Sequence, residues 1–253
     1  FFMNKTTIKL IGIVKAAVIA ALLVMCIGCR SFCGSGKSIK GNGTIEAKTF
    51  PQNNFNAISI KGGWNADIRY SETFSIQIET DENLFPYLDI SLTGTVLKIG
   101  FKSGYSVSPT HRKISITMPA LTKLQTTGSL TGIISAFNRP EDEMSIAISG
   151  SGNITANDIA VKTLQLDISG SADFSATGKV QNMKVEISGS GDIKAADLET
   201  EMADISISGS GTAKVWVTQH LTAGISGSGS IHYKGTPAIT SRITGSGRMK
   251  PLK

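Results

Sequence analysis

Serine is the potentially reactive side chain that recurs most regularly in this sequence. The phrase Ile-Ser-Gly-Ser-Gly, or a near-copy of it, occurs six times at steps of 20, 19, 20, 18 and 18 residues, beginning at Ile148, Ile168, Ile187, Ile207, Ile225 and Ile243. A catalytic serine is a singular residue with its own base and acid partners, whereas each of these serines has an equivalent in the other repeats. The phrases also lie between predicted strands, not before a helix, so they do not indicate a phosphate loop.

Histidine and cysteine are too few to predict a metal site or a disulfide framework. The chain contains only three of each: His111, His220 and His232, and Cys26, Cys29 and Cys33. His220 and His232 are 12 residues apart, which is less than one repeat, and no cysteine lies near them in sequence. A zinc site needs three or four such ligands close together in space. We therefore predict no metal and no cofactor.

Three carboxylates are the strongest candidates for acid–base chemistry. Asp167, Glu186 and Asp204 occupy similar places in successive repeats and predict an outward acidic row. Glycosidases use paired carboxylates, so a polysaccharide-degrading enzyme is one hypothesis. Lys162 and Lys184 are placed to neutralise the row, and the short repeats leave no inserted loops to build a cleft. This enzyme is the weakest of our hypotheses, and we predict no catalytic residues.

The C-terminal end is the strongest candidate for a ligand surface. Residues 205–253 contain six Lys or Arg and no Asp or Glu. Such a charge suits an anionic lipid, an acidic polysaccharide or a nucleic acid, and of these we expect no nucleic-acid partner. The predicted surface consists of Trp216, Tyr233, Lys234, Arg242 and Arg248. The alternative is structural: the aromatic residues cap the core, and the charges prevent end-to-end stacking.

The repeat itself predicts the architecture that positions these residues. A period near 20 with alternating apolar and polar residues is typical of stacked strand units, and therefore of an all-β solenoid. In one unit, Val185 and Ile187 face inward while Lys184 and Glu186 face outward. We predict one β-helix domain over residues 44–253, with coils of about 18–20 residues. Its coils are less regular over 44–123 and regular over 124–253.

The Gly-Ser-Gly corners predict two outward hydroxyl columns. We expect Gly189 and Gly191 to point inward, where a tight corner leaves no room for Cβ, and positive φ is a further reason for glycine. The first column is Ser149, Ser169, Ser188, Ser208, Ser226 and Thr244. The second column is Ser151, Ser171, Ser190, Ser210, Ser228 and Ser246.

The N-terminal residues predict export and lipid anchoring. A basic start precedes the apolar run 16–27, which is too short to span a bilayer and fits a secretory signal. The run leads into Gly28 and Cys29, which resemble a bacterial lipobox. We predict a signal peptide over 1–28, lipidation of Cys29, and a flexible tether over 29–43. The alternative is plain secretion without an anchor.

Several short motifs, taken together with the repeats, resemble one bacterial family. The motifs are Gly41-Asn42-Gly43, Phe55-Asn56-Ala57-Ile58, Gly62-Gly63, Leu97-Lys98-Ile99 and Ile116-Thr117-Met118-Pro119-Ala120-Leu121. From about Ile39 to Lys253 the chain resembles the auto-transporter adhesin family known as the head GIN domain, whose members are common as lipoproteins in Bacteroidetes. The resemblance implies a right-handed parallel β-helix and no catalytic residues.

These features predict a non-enzymatic lipoprotein of the outer membrane, either periplasmic or surface-exposed. We expect it to bind a glycan or an envelope or host protein through its repetitive surface. The alternative is a periplasmic structural or assembly protein without a soluble ligand. Exposed end coils could also pair edge to edge, which predicts a homodimer as a further state.

Overall fold

The computed structural model describes residues 37–252 of the chain. The chain divides into Phe1–Lys37 and Ser38–Lys253. The predicted signal peptide, Cys29 and residues 29–36 of the predicted tether lie outside the described residues. Within 37–252, no helix has the length and apolar character needed to cross a membrane.

The described part of the chain is almost entirely β-structure, which confirms the predicted all-β class. It contains one short 3₁₀ helix over Glu82–Tyr87. The strands are β1 (Lys37–Lys40), β2 (Ile45–Phe50), β3 (Ala57–Lys61), β4 (Trp64–Tyr70), β5 (Ser75–Asp81), β6 (Leu88–Thr93), β7 (Val96–Phe101), β8 (Tyr105–Ser108), β9 (Arg112–Met118), β10 (Lys123–Ser135), β11 (Asn138–Gly189), β12 (Asp192–Gly209), β13 (Thr212–Gly227), β14 (Ser230–Lys234), β15 (Ala238–Gly245) and β16 (Arg248–Pro251).

Strands β10 to β16 form a long parallel sheet whose pairings join residues one repeat apart. Ile187 of β11 lies opposite Ile207 of β12, and Ile207 lies opposite Ile225 of β13. Ile225 in turn lies opposite Ile243 of β15. Thr126 of β10 lies opposite Ile148 of β11, which extends the series to an earlier, imperfect repeat. The chain therefore returns to the same position in the sheet at each repeat.

The core consists of the inward side chains that alternate with polar ones along each strand. Val185 and Ile187 are at most 1% exposed, and so are Ile193 and Ala195 after the corner. Burying an isoleucine side chain fully stabilises a fold by about 1.5–3 kcal/mol. Because the inward positions are stacked one repeat above another, these side chains form one continuous core along the sheet.

The corner glycines are required for the predicted positive φ and also for a close backbone contact that the sequence did not predict. Gly189 has a φ of +139°, and a Cβ built on it would lie 2.1 Å from the carbonyl oxygen of Gly170 in the preceding repeat. A Cβ built on Gly209 would likewise lie 2.2 Å from the carbonyl oxygen of Gly189. The first glycine of each corner is thus only half-buried and is constrained by the neighbouring repeat's backbone, not by a crowded interior. The second glycine, Gly191, is buried as expected.

Residues 37–122 pack differently from the repeats, because antiparallel pairs are added to the parallel ones. Strand β5 pairs antiparallel with β2 and β9, and β6 pairs antiparallel with β7. Strands β3 and β4 pair in parallel with β10 and so join this part to the repeats. Trp64 is buried in the core, stacks on Phe101 at 5.4 Å, and donates its indole N–H to the carbonyl oxygen of Lys61.

Residues 37–43, which precede the predicted domain boundary at 44, make ordered contacts with the domain. Strand β1 pairs with β8, and the Gly41 N–H donates to the carbonyl oxygen of Ser108. The Gly43 N–H donates to the buried carboxylate of Asp81 at 2.7 Å. These bonds hold residues that the Ser-, Gly- and Lys-rich composition had assigned to a tether.

The last repeat leaves part of the core open. Ile239 and Ile243 of β15 continue the inward positions of Leu221 and Ile225, but they are 40% and 41% exposed. Among the described residues, no strand pairs with the outer edge of β15 or β16. The basic end therefore leaves these two side chains exposed, although Tyr233 packs against the core.

Candidate functional site

The outward face of the repeats carries the predicted hydroxyl columns. Ser188, Ser208, Ser226 and Thr244 lie opposite one another in successive strands and are all exposed. Neighbouring strands are about 4.8 Å apart, so this first serine column presents one hydroxyl at each such step. A surface of this kind offers regularly spaced hydrogen-bond donors and acceptors.

A groove of about 490 Å³ crosses the first serine column at Gly224. Gly224 lies between Ser206 and Arg242 in the sheet register, at a position where other repeats carry an outward side chain. The missing side chain creates the depression. We call this depression the Gly224 groove; its walls are Glu186, Ser206, Ser208, Ser226, Arg242 and Thr244.

The two ends of the Gly224 groove differ in charge. The Glu186 carboxylate forms a salt bridge with the Lys184 ammonium, with 2.8 Å between Oε1 and Nζ, and both side chains are about half exposed. This bond and the charge of Glu186 raise the pKa of Lys184. Exposed pairs of this kind stabilise a fold only weakly, because solvent screens them. Arg242, at the other end, has no carboxylate within 4.0 Å among the described residues.

The predicted surface of aromatic and basic residues is divided by the structure. The Lys234 ammonium lies 4.0 Å above the ring of Trp216, which is a cation–π contact. Tyr233 instead lies opposite Val215 and packs against the core. Arg248 lies opposite Ser230 in β14.

Arg242 belongs with the first serine column. It lies in β15, which pairs with residues 220–227 of β13, whereas Trp216 and Lys234 lie in the register of β13 with β14. The structure thus brings Trp216 and Lys234 together and joins neither to Arg242.

The predicted acidic row is not continuous. Asp204 lies opposite Lys184, and Glu186 lies opposite Ser206, so Asp204 and Glu186 are two positions out of register. The Asp167 carboxylate accepts the Gln165 amide N–H at 3.0 Å. The mismatch is visible in the sequence: Asp167 and Glu186 lie one residue before the isoleucine of their phrases, whereas Asp204 lies three residues before Ile207.

The histidines lie in different strand pairs. His220 lies opposite Met202 and Ala238, and His232 lies opposite Lys214 and Lys250. Within residues 37–252, no three His, Cys, Asp or Glu side chains are grouped as metal ligands.

The chain belongs to a known family. The family model "Putative auto-transporter adhesin, head GIN domain" matches residues 54–237, which confirms the resemblance seen in the motifs. The family and the similar structures are named for adhesion or binding and not for a reaction. No curated protein matches the sequence.

Three solved structures are similar over most of the chain. A "putative lipid binding protein" from Parabacteroides distasonis is 32% identical, with a TM-score of 0.73, and the match covers 86% of this chain and all of that one. A "putative adhesin" from Parabacteroides merdae is 26% identical, with a TM-score of 0.61 and coverage of 86% and 100%. A "putative adhesin" from Bacteroides fragilis, at 23% identity and a TM-score of 0.79 over 85% and 100%, shows the same fold.

Sequence reasoning had not identified the Gly224 groove, although a signal was present. The residue two places before the first hydroxyl residue of each phrase is, in order, Ala147, Asp167, Glu186, Ser206, Gly224 and Arg242. Glycine is the only one of these without a side chain. An outward position that loses its side chain within a regular array predicts a local depression.

Proposed function

We propose that this protein is a non-enzymatic, lipid-anchored adhesin of the cell envelope that binds a glycan polymer through the first serine column. The repeats wind as the coils of a right-handed parallel β-helix. The in-register return of the chain supports the winding, and parallel crossover connections are right-handed in nearly all proteins, which supports the handedness. The family to which the chain belongs supports a place in the envelope.

The Gly224 groove is the observation that carries the proposal. Its walls offer hydroxyls from Ser206, Ser208 and Ser226, and Arg242 adds a flexible donor. Sugar hydroxyls pair with serine hydroxyls as donor and acceptor alike. The groove is open, so each contact is weak, and a polymer gains affinity by engaging several repeats at once.

A glycan array with the purified full chain tests this proposal. We expect binding to one class of polysaccharide, with much weaker binding to its monosaccharide. Gly224→Gln should fill the groove and reduce binding at least several-fold. Lys214→Gln, which changes an exposed side chain outside the groove, should leave binding unchanged. Absence of glycan binding, or equal binding by Gly224→Gln, would contradict the proposal.

The anchoring is tested separately in cells. The wild-type chain should fractionate with membranes, and Cys29→Ala should release it. Protease treatment of intact cells, with a periplasmic control protein, then places the domain: digestion indicates the outer surface, and protection indicates the periplasm. Protection would favour the periplasmic structural alternative over adhesion to external partners.

Lipid is the second candidate ligand, because one similar structure is named a putative lipid binding protein. Ile239 and Ile243 at the open end are exposed, and Arg242 lies between them in the same strand. Flotation of the Cys29→Ala chain with anionic liposomes tests this ligand. Binding that Ile243→Ser abolishes, together with an empty glycan array, would replace the glycan proposal with lipid.

A further inference from the structure

A second, smaller cleft lies at the other end of the repeats. It has a volume of about 380 Å³ and lies between the segment Pro109–Arg112, the start of β4, and the first two repeats. We call it the Arg112 cleft. Its walls include the hydroxyl-bearing side chains of Ser129, Thr131 and Ser151. None of the described residues that line it is an aspartate or a glutamate.

The Arg112 guanidinium is a cation without a partner in this cleft. Among residues 37–252, no carboxylate lies within 4.0 Å of it, and it donates no side-chain hydrogen bond. It packs over Gly63, where an added Cβ would lie 3.1 Å from Nη1. Arg112 is half-buried, so its charge is less well solvated than that of a surface arginine.

The acids near the cleft are already engaged. Glu79 Oε1 forms a salt bridge with the Lys113 ammonium at 3.2 Å, and Glu79 Oε2 lies 3.6 Å from Nε2 of His111. Asp81 is buried and accepts the N–H and hydroxyl of Thr110 at 2.8 and 2.7 Å. Neither acid is left to neutralise Arg112.

The wall that carries Arg112 is rigidly held. Thr110 is fixed by its two bonds to Asp81, and the carbonyl oxygen of His111 accepts the Thr80 hydroxyl at 2.9 Å. Arg112 itself begins β9, in register opposite Thr80 of β5. A binding group placed on a fixed backbone loses little conformational entropy when a ligand arrives.

We propose that the Arg112 cleft binds an anionic group, carboxylate or sulfate, of an acidic glycan. A guanidinium presents a planar fork of N–H donors that matches two oxygens of such a group. The cleft also opens onto the second serine column, because Ser129 lies opposite Ser151 and the glycine stacking carries the column on to Ser171 and Ser190. From Ser129 to Ser246 the column rises six steps, or about 29 Å at the usual strand spacing.

A polymer suits this arrangement better than a free ion. The anionic group of one sugar would occupy the cleft, and the following sugars would lie along the second serine column. This surface is distinct from the Gly224 groove, so the inference adds a ligand chemistry that the proposed function does not name. The two surfaces can therefore be tested independently.

The test is calorimetric titration of the purified full chain with oligogalacturonate, dextran sulfate and neutral dextran at low salt. We expect one of the two acidic glycans to bind and neutral dextran not to bind at this site. Binding of oligogalacturonate identifies carboxylate as the group, and binding of dextran sulfate identifies sulfate. Added salt should weaken the interaction, because charges at an open cleft are screened.

Arg112→Gln should reduce affinity by about 10-fold or more, because it removes a charge-assisted pair of hydrogen bonds. Arg112→Lys should retain part of the affinity, since it keeps the charge but loses the fork. Gly224→Gln should have no effect on this binding. If Arg112→Gln fails to fold, Gly63→Ala serves instead, because its methyl group displaces the guanidinium and keeps the charge.

Three results would overturn the inference. The first is a wild-type chain that binds neither acidic glycan. The second is full affinity in Arg112→Gln. The third is a loss of affinity in Arg248→Gln but not in Arg112→Gln, which would assign the binding to the basic C-terminal end. Loss of glycan-array binding in Gly224→Gln alone would concern only the proposed function.

Discussion

At the scale of single residues, the corner glycines are the positions where this fold tolerates least change. We predict that Gly189→Ala lowers the free energy of unfolding by about 1–3 kcal/mol, the usual cost of a strained backbone position. A methyl group there would meet the Gly170 carbonyl oxygen at 2.1 Å, and φ is +139°. Urea denaturation of both chains measures the effect.

The matched control for this change is Gly224→Ala. A Cβ at Gly224 would lie 3.5 Å from the Ser206 hydroxyl oxygen, which is ordinary van der Waals contact. We expect a change within about 0.5 kcal/mol. Equal losses in the two variants would mean that the stacking distance between corners does not limit stability.

Thr126 is a residue whose replacement should stabilise the protein. It occupies the inward position opposite Ile148 and Ile60, and its buried hydroxyl has no hydrogen-bond partner among the described residues. Removing an unsatisfied buried polar group recovers about 1–3 kcal/mol. Thr126→Val should therefore raise the thermal midpoint. Thr200→Val is the control and should not, because the buried Thr200 hydroxyl donates to the carbonyl oxygen of Leu198.

Asp81 should make the stability of the fold depend on pH at the acidic end of the range. Burial by itself would raise the pKa of Asp81, but hydrogen bonds from Thr110 and Gly43 outweigh it and lower the pKa from 3.8 to about 2. A depressed pKa in the folded state stabilises the protein above pH 3.8, and this contribution is lost as the pH falls towards 2.

Asp81→Asn measures this contribution directly. The variant should be less stable than the wild type at neutral pH, and the difference should shrink below about pH 4, where the unfolded carboxyl becomes protonated. Thermal midpoints at a series of pH values give the difference between the two chains. A difference that stays constant from pH 7 to pH 3 would show that Asp81 does not titrate as described.

At the scale of strands, the same inward position should contribute more to the free energy of unfolding in an inner strand than in an outer one. Ile225 of β13 is 2% exposed, whereas Ile243, opposite it in β15, is 41% exposed. We predict that Ile225→Ala costs about 2–5 kcal/mol, as core truncations do. Ile243→Ala should cost about 1 kcal/mol or less, since less apolar surface is lost from the interior. Similar costs in urea denaturation would mean that the last strand is covered in solution.

The strands were predictable because apolar and polar residues alternate for one physical reason, the burial of every second side chain in the core. Ile187 and its equivalents must be inward for a core to form, and this fixes Ser188 and its equivalents outward. The antiparallel pairs β2–β5 and β5–β9 were not predictable in this way, because alternation reports burial and not pairing direction. The contacts of residues 37–43 were not predictable either, since the Gly43 N–H pairs with Asp81, far away in sequence.

The candidate sites were less predictable than the strands, because they depend on register. The repeats differ in length, and the register between β12 and β13 shifts between Ala195 and Glu199. Asp204 lies opposite Lys184 and Tyr233 lies opposite Val215, which is two positions and one position away from the partners that the sequence suggested. Arg112 gave no signal of its own in the sequence, since its unpaired state follows from the engagement of Glu79 and Asp81 by other residues.

At the scale of the whole molecule, stability should decline towards the open end of the stack. In the proposed β-helix each repeat contacts only its neighbours, so an inner repeat is held on two sides and a terminal one on one side. We predict that backbone amides of β15 and β16 exchange with solvent far faster than those of β11 and β12. Hydrogen exchange followed by mass spectrometry of peptide fragments measures this gradient.

Two glycine variants distinguish a one-dimensional stack from a single cooperative unit. Gly245 has a φ of +106°, and an added Cβ would lie 2.6 Å from the Gly227 carbonyl oxygen, so Gly245→Ala is strained as Gly189→Ala is. In a stack, Gly245→Ala should accelerate exchange only in β15 and β16, whereas Gly189→Ala should accelerate it in the repeats on both sides. Uniform acceleration by both variants would mean that the repeats unfold as one unit. The last strands would then open to solvent no more often than the central ones. Ile239 and Ile243 would stay exposed on an otherwise folded surface.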